Sequence, residues 1–271
     1  MQNRYAGDLG DYLKFGLLRQ LCAGDDSSPG LKLGVVWYLV KDESHNDDGK
    51  HIAYLREEYA GAKAFRSLDP DLYDRLAVVV RSAQRSTAAL VAAGVLPVGA
   101  KTYSEPLDFG QVLSGGSAGR LRYREAWLQG ALAATSRCDL IFADPDNGIR
   151  KVSHGVARTR TKAVKHAYLD ELAAFAARGQ SLVIYHHADR SAPVVEQARR
   201  RLAELAQEIA GVQPIAAVRA SRGTTRLFLV AAAPRHLHLL TARLNRLATG
   251  PWYQEFEVYW PEKDKREVPR S

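Results

Sequence analysis

The apolar run Leu140-Ile-Phe-Ala143 ends abruptly in Asp144-Pro145-Asp146-Asn147-Gly148. Apolar residues in unbroken succession predict a strand buried on both faces, as in a parallel sheet. The next five residues cannot continue it, because Pro145 has no amide hydrogen to donate and Asn-Gly favours a turn. Asp144 is therefore expected at the carboxyl end of a central strand, where open α/β sheets place their ligand crevice. An ordinary polar turn uses the same residue types, so the motif alone does not fix a function.

The rest of the chain supports that sheet. Residues 8–22 carry Leu9, Tyr12, Leu13, Leu17, Leu18 and Leu21 at helical spacing behind Asp8, a fitting N-cap. Residues 33–40 read as a buried strand followed by a polar loop over 41–50. A helix is expected over 71–93, a short strand near 101–104, and a mobile Gly/Ser-rich loop over 110–119. A second helix, 122–135, feeds the strand ending at Asp144. Further helices are expected over 162–178, closed by Gly179, and over 194–209, with a strand over 181–185 between them. Residues 215–219 and 225–230 read as a hairpin, with Arg222 and Arg226 beside it as surface charge. A last helix over 236–247 leads to an aromatic-rich segment, 250–271, in which Trp252, Tyr253, Phe256, Tyr259 and Trp260 are expected to dock on the sheet. Strands alternating with helices indicate βαβ units and a mainly parallel sheet, with the hairpin adding an antiparallel strand. No composition shift divides the chain, and one domain over 1–271 is expected.

An apolar fraction of 46% and a charged fraction of 25% are those of a globular chain, and no apolar stretch is long enough to span a bilayer. The first residues lack the hydrophobic core of a signal peptide, so a cytoplasmic location is expected. Cys22 and Cys138 are too few for a disulfide framework and read as reduced packing residues. The net charge of +8 is partly local: Arg150, Lys151, Arg158, Arg160, Lys162 and Lys165 crowd the loop 150–165. Such a loop suits RNA or DNA, although a solvated basic face has the same composition.

Three strand-end loops would emerge on one side of the sheet. The first holds Asp42, Glu43, Ser44, His45, Asn46, Asp47, Asp48 and Gly49; the second runs from Asp144 to Gly148; the third holds His186, His187 and Asp189. Residues 6–14, Ala-Gly-Asp-Leu-Gly-Asp-Tyr-Leu-Lys, and 43–50, Glu-Ser-His-Asn-Asp-Asp-Gly-Lys, stand in order before Asp144-Pro145-Asp146-Asn147. In these three places the chain resembles the bacterial 23S ribosomal RNA adenine-N6 methyltransferases. It is also similar to a set of uncharacterised bacterial proteins with the same Asp-Pro-Asp-Asn-Gly pattern.

The first resemblance implies a Rossmann-like sheet of the methyltransferase type, S-adenosylmethionine as cofactor, and transfer to an adenine-type amine of nucleic acid. It implies that Gly7 and Lys14 border the cofactor and that Ser44, His45 and Gly49 form the loop beneath its methionine portion. Glu43, at the end of the first strand, reads either as a cofactor-binding acceptor for a ribose or amino group or as part of a simple turn. Asp144 and the Pro145 carbonyl would accept hydrogen bonds from the amine, with Asp146 and Asn147 completing the motif. Positioning of this kind supplies much of a transfer rate, and a base within a helix would have to be flipped out.

The departures are specific. Asp47 stands at the family's first loop glycine, Asp146 at its second proline and Asn147 at its stacking aromatic, a surface worth roughly 1–3 kcal/mol per base. Added carboxylates suit a hard divalent cation. A Mg²⁺ site built from Asp42, Asp47, Asp144, Asp146, His187 and Asp189, cutting phosphodiesters, is therefore one alternative. A binding protein that kept the sheet without the chemistry is another.

Overall fold

The computed structural model describes residues 1–25, 29–43, 49–82, 84–112, 114–150, 158–220, 222 and 224–261. Helix α1 (Leu9–Cys22) opens the chain, with the Asp8 side chain accepting from the Asp11 amide as its N-cap. Strand β1 (Leu33–Trp37) is followed by α2 (Ala62–Leu68), α3 (Pro70–Arg81), α4 (Thr87–Ala92) and β2 (Lys101–Tyr103). Next come α5 (Gly116–Ala134), β3 (Leu140–Asp144), two short strands β4 (Ile149–Arg150) and β5 (Ala167–Tyr168), α6 (Leu169–Ala176) and β6 (Ser181–His187). Helix α7 (Val194–Glu208), β7 (Gln213–Ala220), β8 (Arg226–Ala232), α8 (Leu237–Thr249) and β9 (Phe256–Tyr259) complete the order.

Among the described residues the large sheet has seven strands in the order β2-β1-β3-β6-β8-β7-β9. The first four are parallel; β8 runs antiparallel to β6 and β7, and β9 antiparallel to β7. Alternate strand residues divide between two apolar layers. Leu33, Val35, Trp37, Leu140 and Phe142 pack with α1, α3 and α8 on one face. Val36, Ile141, Ala143, Leu182 and Ile184 pack with α5, α6 and α7 on the other. A sheet covered on both faces explains why its central strands read as unbroken apolar runs. Among the described residues no helix is long and apolar enough to cross a membrane. Both cysteines are free and buried.

Four expectations are corrected. The single helix over 71–93 is two helices, because Ser86 caps α4 by accepting from the Ala89 amide. Helix α5 begins at Gly116, inside the stretch read as loop. Its early turns are held from outside, by Arg120 donating to the Thr159 carbonyl and by Arg124 bound to Glu171. The helix over 162–178 is broken: Thr161–Lys165 form a 3-10 helix, and α6 begins only at Leu169. The residues before it instead pair with the turn after β3: Asn147 donates to the Lys165 carbonyl at 2.8 Å and Ala167 to Gly148 at 3.1 Å. The aromatic tail docks through buried Trp252, stacked on Phe256, and contributes an edge strand, β9. Tyr253 and Trp260, also expected to dock, are exposed because they lie beside the strand and not in the apolar layer; residues 262–271 lie outside the described residues.

Candidate functional site

β1 and β3 are register neighbours, with Trp37 paired to Asp144 at their carboxyl ends. From β1 the chain goes on to β2 at one side, while β3 and β6 lie at the other. The crevice between β1 and β3 is therefore the topological switch point of the sheet. A cavity of about 290 Å³ lies there. Its wall includes Glu43 and Gly49 from the loop after β1, Asp144, Pro145, Asp146 and Asn147 from the turn after β3, and Lys14 from α1. His187, at the end of β6, reaches the same cavity.

Lys14 is the hub on the floor. Its ammonium lies 2.7 Å from Asp144 Oδ2 and 2.8 Å from Asp11 Oδ1, all three side chains being almost wholly buried. Burial opposes the charge on Lys14, but the two carboxylates outweigh it and hold the lysine above its ordinary value. Burial also pushes the Asp11 carboxyl up to about 6, against the pull of Lys14. Gly7 stands behind this chain rather than on the cavity wall, donating its amide to Asp11 Oδ2 at 3.0 Å. Asp144 Oδ1 and the Pro145 carbonyl accept no hydrogen bond among the described residues.

A second clamp joins the two loops. Lys165 donates to Glu43 Oε1 at 2.6 Å and lies 3.2 Å from Asp146 Oδ2. The Gln2 amide bridges the same pair, donating to Glu43 at 3.2 Å and to Asp146 at 2.9 Å. The Lys165 hydrogen bond holds Glu43 below its ordinary value. Burial works against ionised Asp146, yet the Met1 ammonium, Gln2 and Lys165 keep it low as well. The Met1 ammonium donates to the carbonyls of Tyr38 and Asp144 at 3.0 and 3.1 Å.

Other expected residues fall outside this arrangement. Asp42 accepts from the Arg4 amide and Asp189 from Ser191, and neither lines the cavity. Ser44, His45, Asn46, Asp47 and Asp48 lie outside the described residues, as does Lys151. Among the described residues no group of three or more His, Cys, Asp or Glu side chains is arranged to hold a metal ion. Oxygens of Asp144, Asp146 and Asp189 are instead engaged by Lys14, Lys165 and Ser191. His186 is buried behind the turn, with its Nδ1 3.2 Å from the Ile149 amide; burial, then Arg201, pushes it down to about 3. Within the basic loop, Lys165 turns into the site, Arg158 pairs with Asp170 over the Tyr168 ring, and Arg160 and Lys162 are exposed.

Two cavity residues come from where the sequence promised no site. Tyr185, on β6, lines the cavity with its ring edge-on to Phe228 at 6.0 Å. Burial pushes its hydroxyl up to about 12, while Arg226, Asp144 and Lys14 also act on it. Arg226, read from the hairpin as surface charge, is 9% exposed and also lines the cavity. Among the described residues the cavity gathers five carboxylates, Asp8, Asp11, Glu43, Asp144 and Asp146, against four cations, Lys14, Lys165, Arg226 and the Met1 ammonium. That surplus of acid favours a ligand carrying positive charge.

No family model, curated protein or solved structure matches the chain.

Proposed function

We propose that the protein is an S-adenosylmethionine-dependent N-methyltransferase acting on an adenine-type amine of nucleic acid, with a sheet of the methyltransferase type. The observation that carries this reading is the convergence of Lys14, Glu43 and Asp144–Asn147 on one cavity at the switch point of the sheet. These are stretches in which the sequence resembles adenine-N6 methyltransferases. The antiparallel β8, set between β6 and β7, is consistent with a Rossmann-like sheet.

The cavity's chemistry fits the cofactor. At about 290 Å³ it is near the lower end of small-molecule sites, roughly 300–1,000 Å³. Its carboxylates suit a sulfonium and an ammonium, and Glu43 also suits ribose hydroxyls. When bound, S-adenosylmethionine would supply an electrophilic methyl group. Lys14 keeps Asp144 Oδ2 occupied and the carboxylate in place, leaving Oδ1 and the Pro145 carbonyl to accept the two N–H groups of the amine. Held in that way, the nitrogen lone pair is directed and the nitrogen gives up one proton to solvent after transfer. Asn147 offers no aromatic surface to a base; Tyr185, on the neighbouring strand, offers one from the cavity wall. Exposed Arg160 and Lys162 would meet phosphates.

The test is calorimetric titration with S-adenosylmethionine, followed by transfer of labelled methyl to RNA by wild type and Asp144→Asn. Asp144→Asn should bind the cofactor within a few-fold of wild type while turnover falls by about 10²–10³. Failure of the wild type to bind S-adenosylmethionine, or full turnover by the variant, would overturn the reading.

A further inference from the structure

Arg226 begins β8, in register with His187 of β6 and Ala220 of β7. Its side chain crosses to the first turn of α1 and fills the space over Gly10, where a Cβ would lie 2.5 Å from Nη2. A glycine inside a helix weakens it, and here it admits the guanidinium to the cavity. Nη1 donates to the carbonyls of Arg222 at 3.2 Å and Thr224 at 3.0 Å, which fixes the head group. Nε and Nη2 donate to no protein atom among the described residues. Lys14 and Lys165 each hold two carboxylates, whereas Arg226 has no carboxylate within ion-pairing distance among the described residues.

A guanidinium nine-tenths buried without a counter-ion is costly to fold around, and the fork of donors it presents matches a carboxylate or a phosphate. We infer that Arg226 is the oxyanion-binding residue of the cavity, taking two oxygens of a ligand carboxylate or phosphate. The inference deepens the methyl-transfer reading and rests on the same cavity. Within that reading the oxyanion has two sources, the carboxylate of the cofactor's amino-acid portion or the phosphate of the target nucleotide. Tyr185 stands beside it with a hydroxyl that makes no hydrogen bond among the described residues, a second donor for the same oxygens.

The experiment compares paired ligands that differ only in the oxyanion. Dissociation constants are measured for S-adenosylhomocysteine against its decarboxylated analogue, and for AMP against adenosine, with wild type, Arg226→Gln and Arg226→Lys. In one pair the wild type should prefer the charged member, and Arg226→Gln should lose about tenfold to a hundredfold of that preference. Arg226→Lys should fall between, and the uncharged member should bind all three proteins alike. Loss in the first pair assigns a carboxylate and loss in the second a phosphate; either supports the inference. Ratios unchanged in both pairs, equal weakening of charged and uncharged members through a damaged hairpin, or binding of none of the four ligands overturns it. Arg226-dependent AMP binding with no affinity for S-adenosylhomocysteine or S-adenosylmethionine would sink methyl transfer and leave the oxyanion assignment standing. Tight S-adenosylmethionine binding with every ratio indifferent to Arg226 would do the reverse.

Discussion

Lys14 balances Asp11 and Asp144 at distances of 2.7–2.8 Å, where all three side chains are almost wholly buried on the cavity floor. Removing one partner of a buried ion pair costs far more than the pair is worth, because the remaining charge loses its solvation and its partner together. Lys14→Met should therefore destabilise the protein by about 3–5 kcal/mol, read as a shift of the urea midpoint with unchanged slope. Adding Asp144→Asn to that variant should recover part of the loss, since one stranded charge is gone; strict additivity would contradict the coupling. Lys14, Glu43 and Asp144 were all legible in the sequence, each standing in a patterned stretch beside a strand or helix end. Gln2, Lys165, Tyr185 and Arg226 were not, because their roles come from contacts between segments far apart in the chain. Arg226 looked like surface charge beside a turn. A clue did exist in Gly10 and Gly16, isolated glycines within an amphipathic helix, which often mark a close approach. Gly10 receives Arg226, and Gly16 receives the ring of Trp252.

The turn after β3 is held as an element, not residue by residue. The short ladder of β4 with β5 braces one side of it, and His186 of β6 backs the other through the Ile149 amide. Gly148 sits at φ +94° with no room for a methyl group against His186. Gly148→Ala should therefore carry both left-handed strain, about 1–3 kcal/mol, and a displacement of the turn that presents Asp144 to Asn147. Gly179→Ala is the matched control: φ is +73° there, but nothing lies within 4 Å of the added carbon. Thermal melts should place Gly148→Ala clearly below the control, and ligand affinity should fall in the first variant alone. Equal melting temperatures and equal affinities would remove the brace from the account. At this scale the sequence revealed the central strands and most helices, because both follow a short-range apolar period. It failed where tertiary contacts decide: residues 166–168 give up helix where Ala167 and Tyr168 pair with the turn, α5 gains residues 116–121 with Arg120 fastened from outside, and Phe256–Tyr259 becomes a strand only because β7 offers an edge.

Charge is divided across the molecule: the chain is +8 overall, yet among the described residues its cavity holds more carboxylates than side-chain cations. Acid should disturb this protein first through buried histidines. Burial, then Arg201, holds His186 at about 3, and burial, then Arg150, holds His166 at about 4, both from an ordinary value of 6.5. A base whose pKa is lower when folded stays neutral in the native state while the unfolded chain takes up a proton. Its contribution to stability is therefore whole above 6.5 and declines as pH falls toward the folded value. Each such group contributes a slope of about 1.4 kcal/mol per pH unit within its window. His236, also held low by burial, has the same sign. Asp11 opposes them: its pKa of about 6 when folded, against 3.8 ordinarily, makes the native state the better proton binder between those values. Glu43 and Asp146, both held low, add to the loss only below the ordinary carboxylate range. Between pH 6 and 4, two or more protons taken up by the unfolded chain stand against one taken up by the native state. Stability should fall by at least about 1 kcal/mol per unit of acidification. Urea unfolding at half-unit steps from pH 7.5 to 4 measures it. Asp11→Asn should steepen the decline by removing the opposing proton, and His186→Gln should flatten it. A wild-type curve that rises toward pH 4, or two variants that shift the slope in the same direction, would show that the buried histidines do not govern the acid limb.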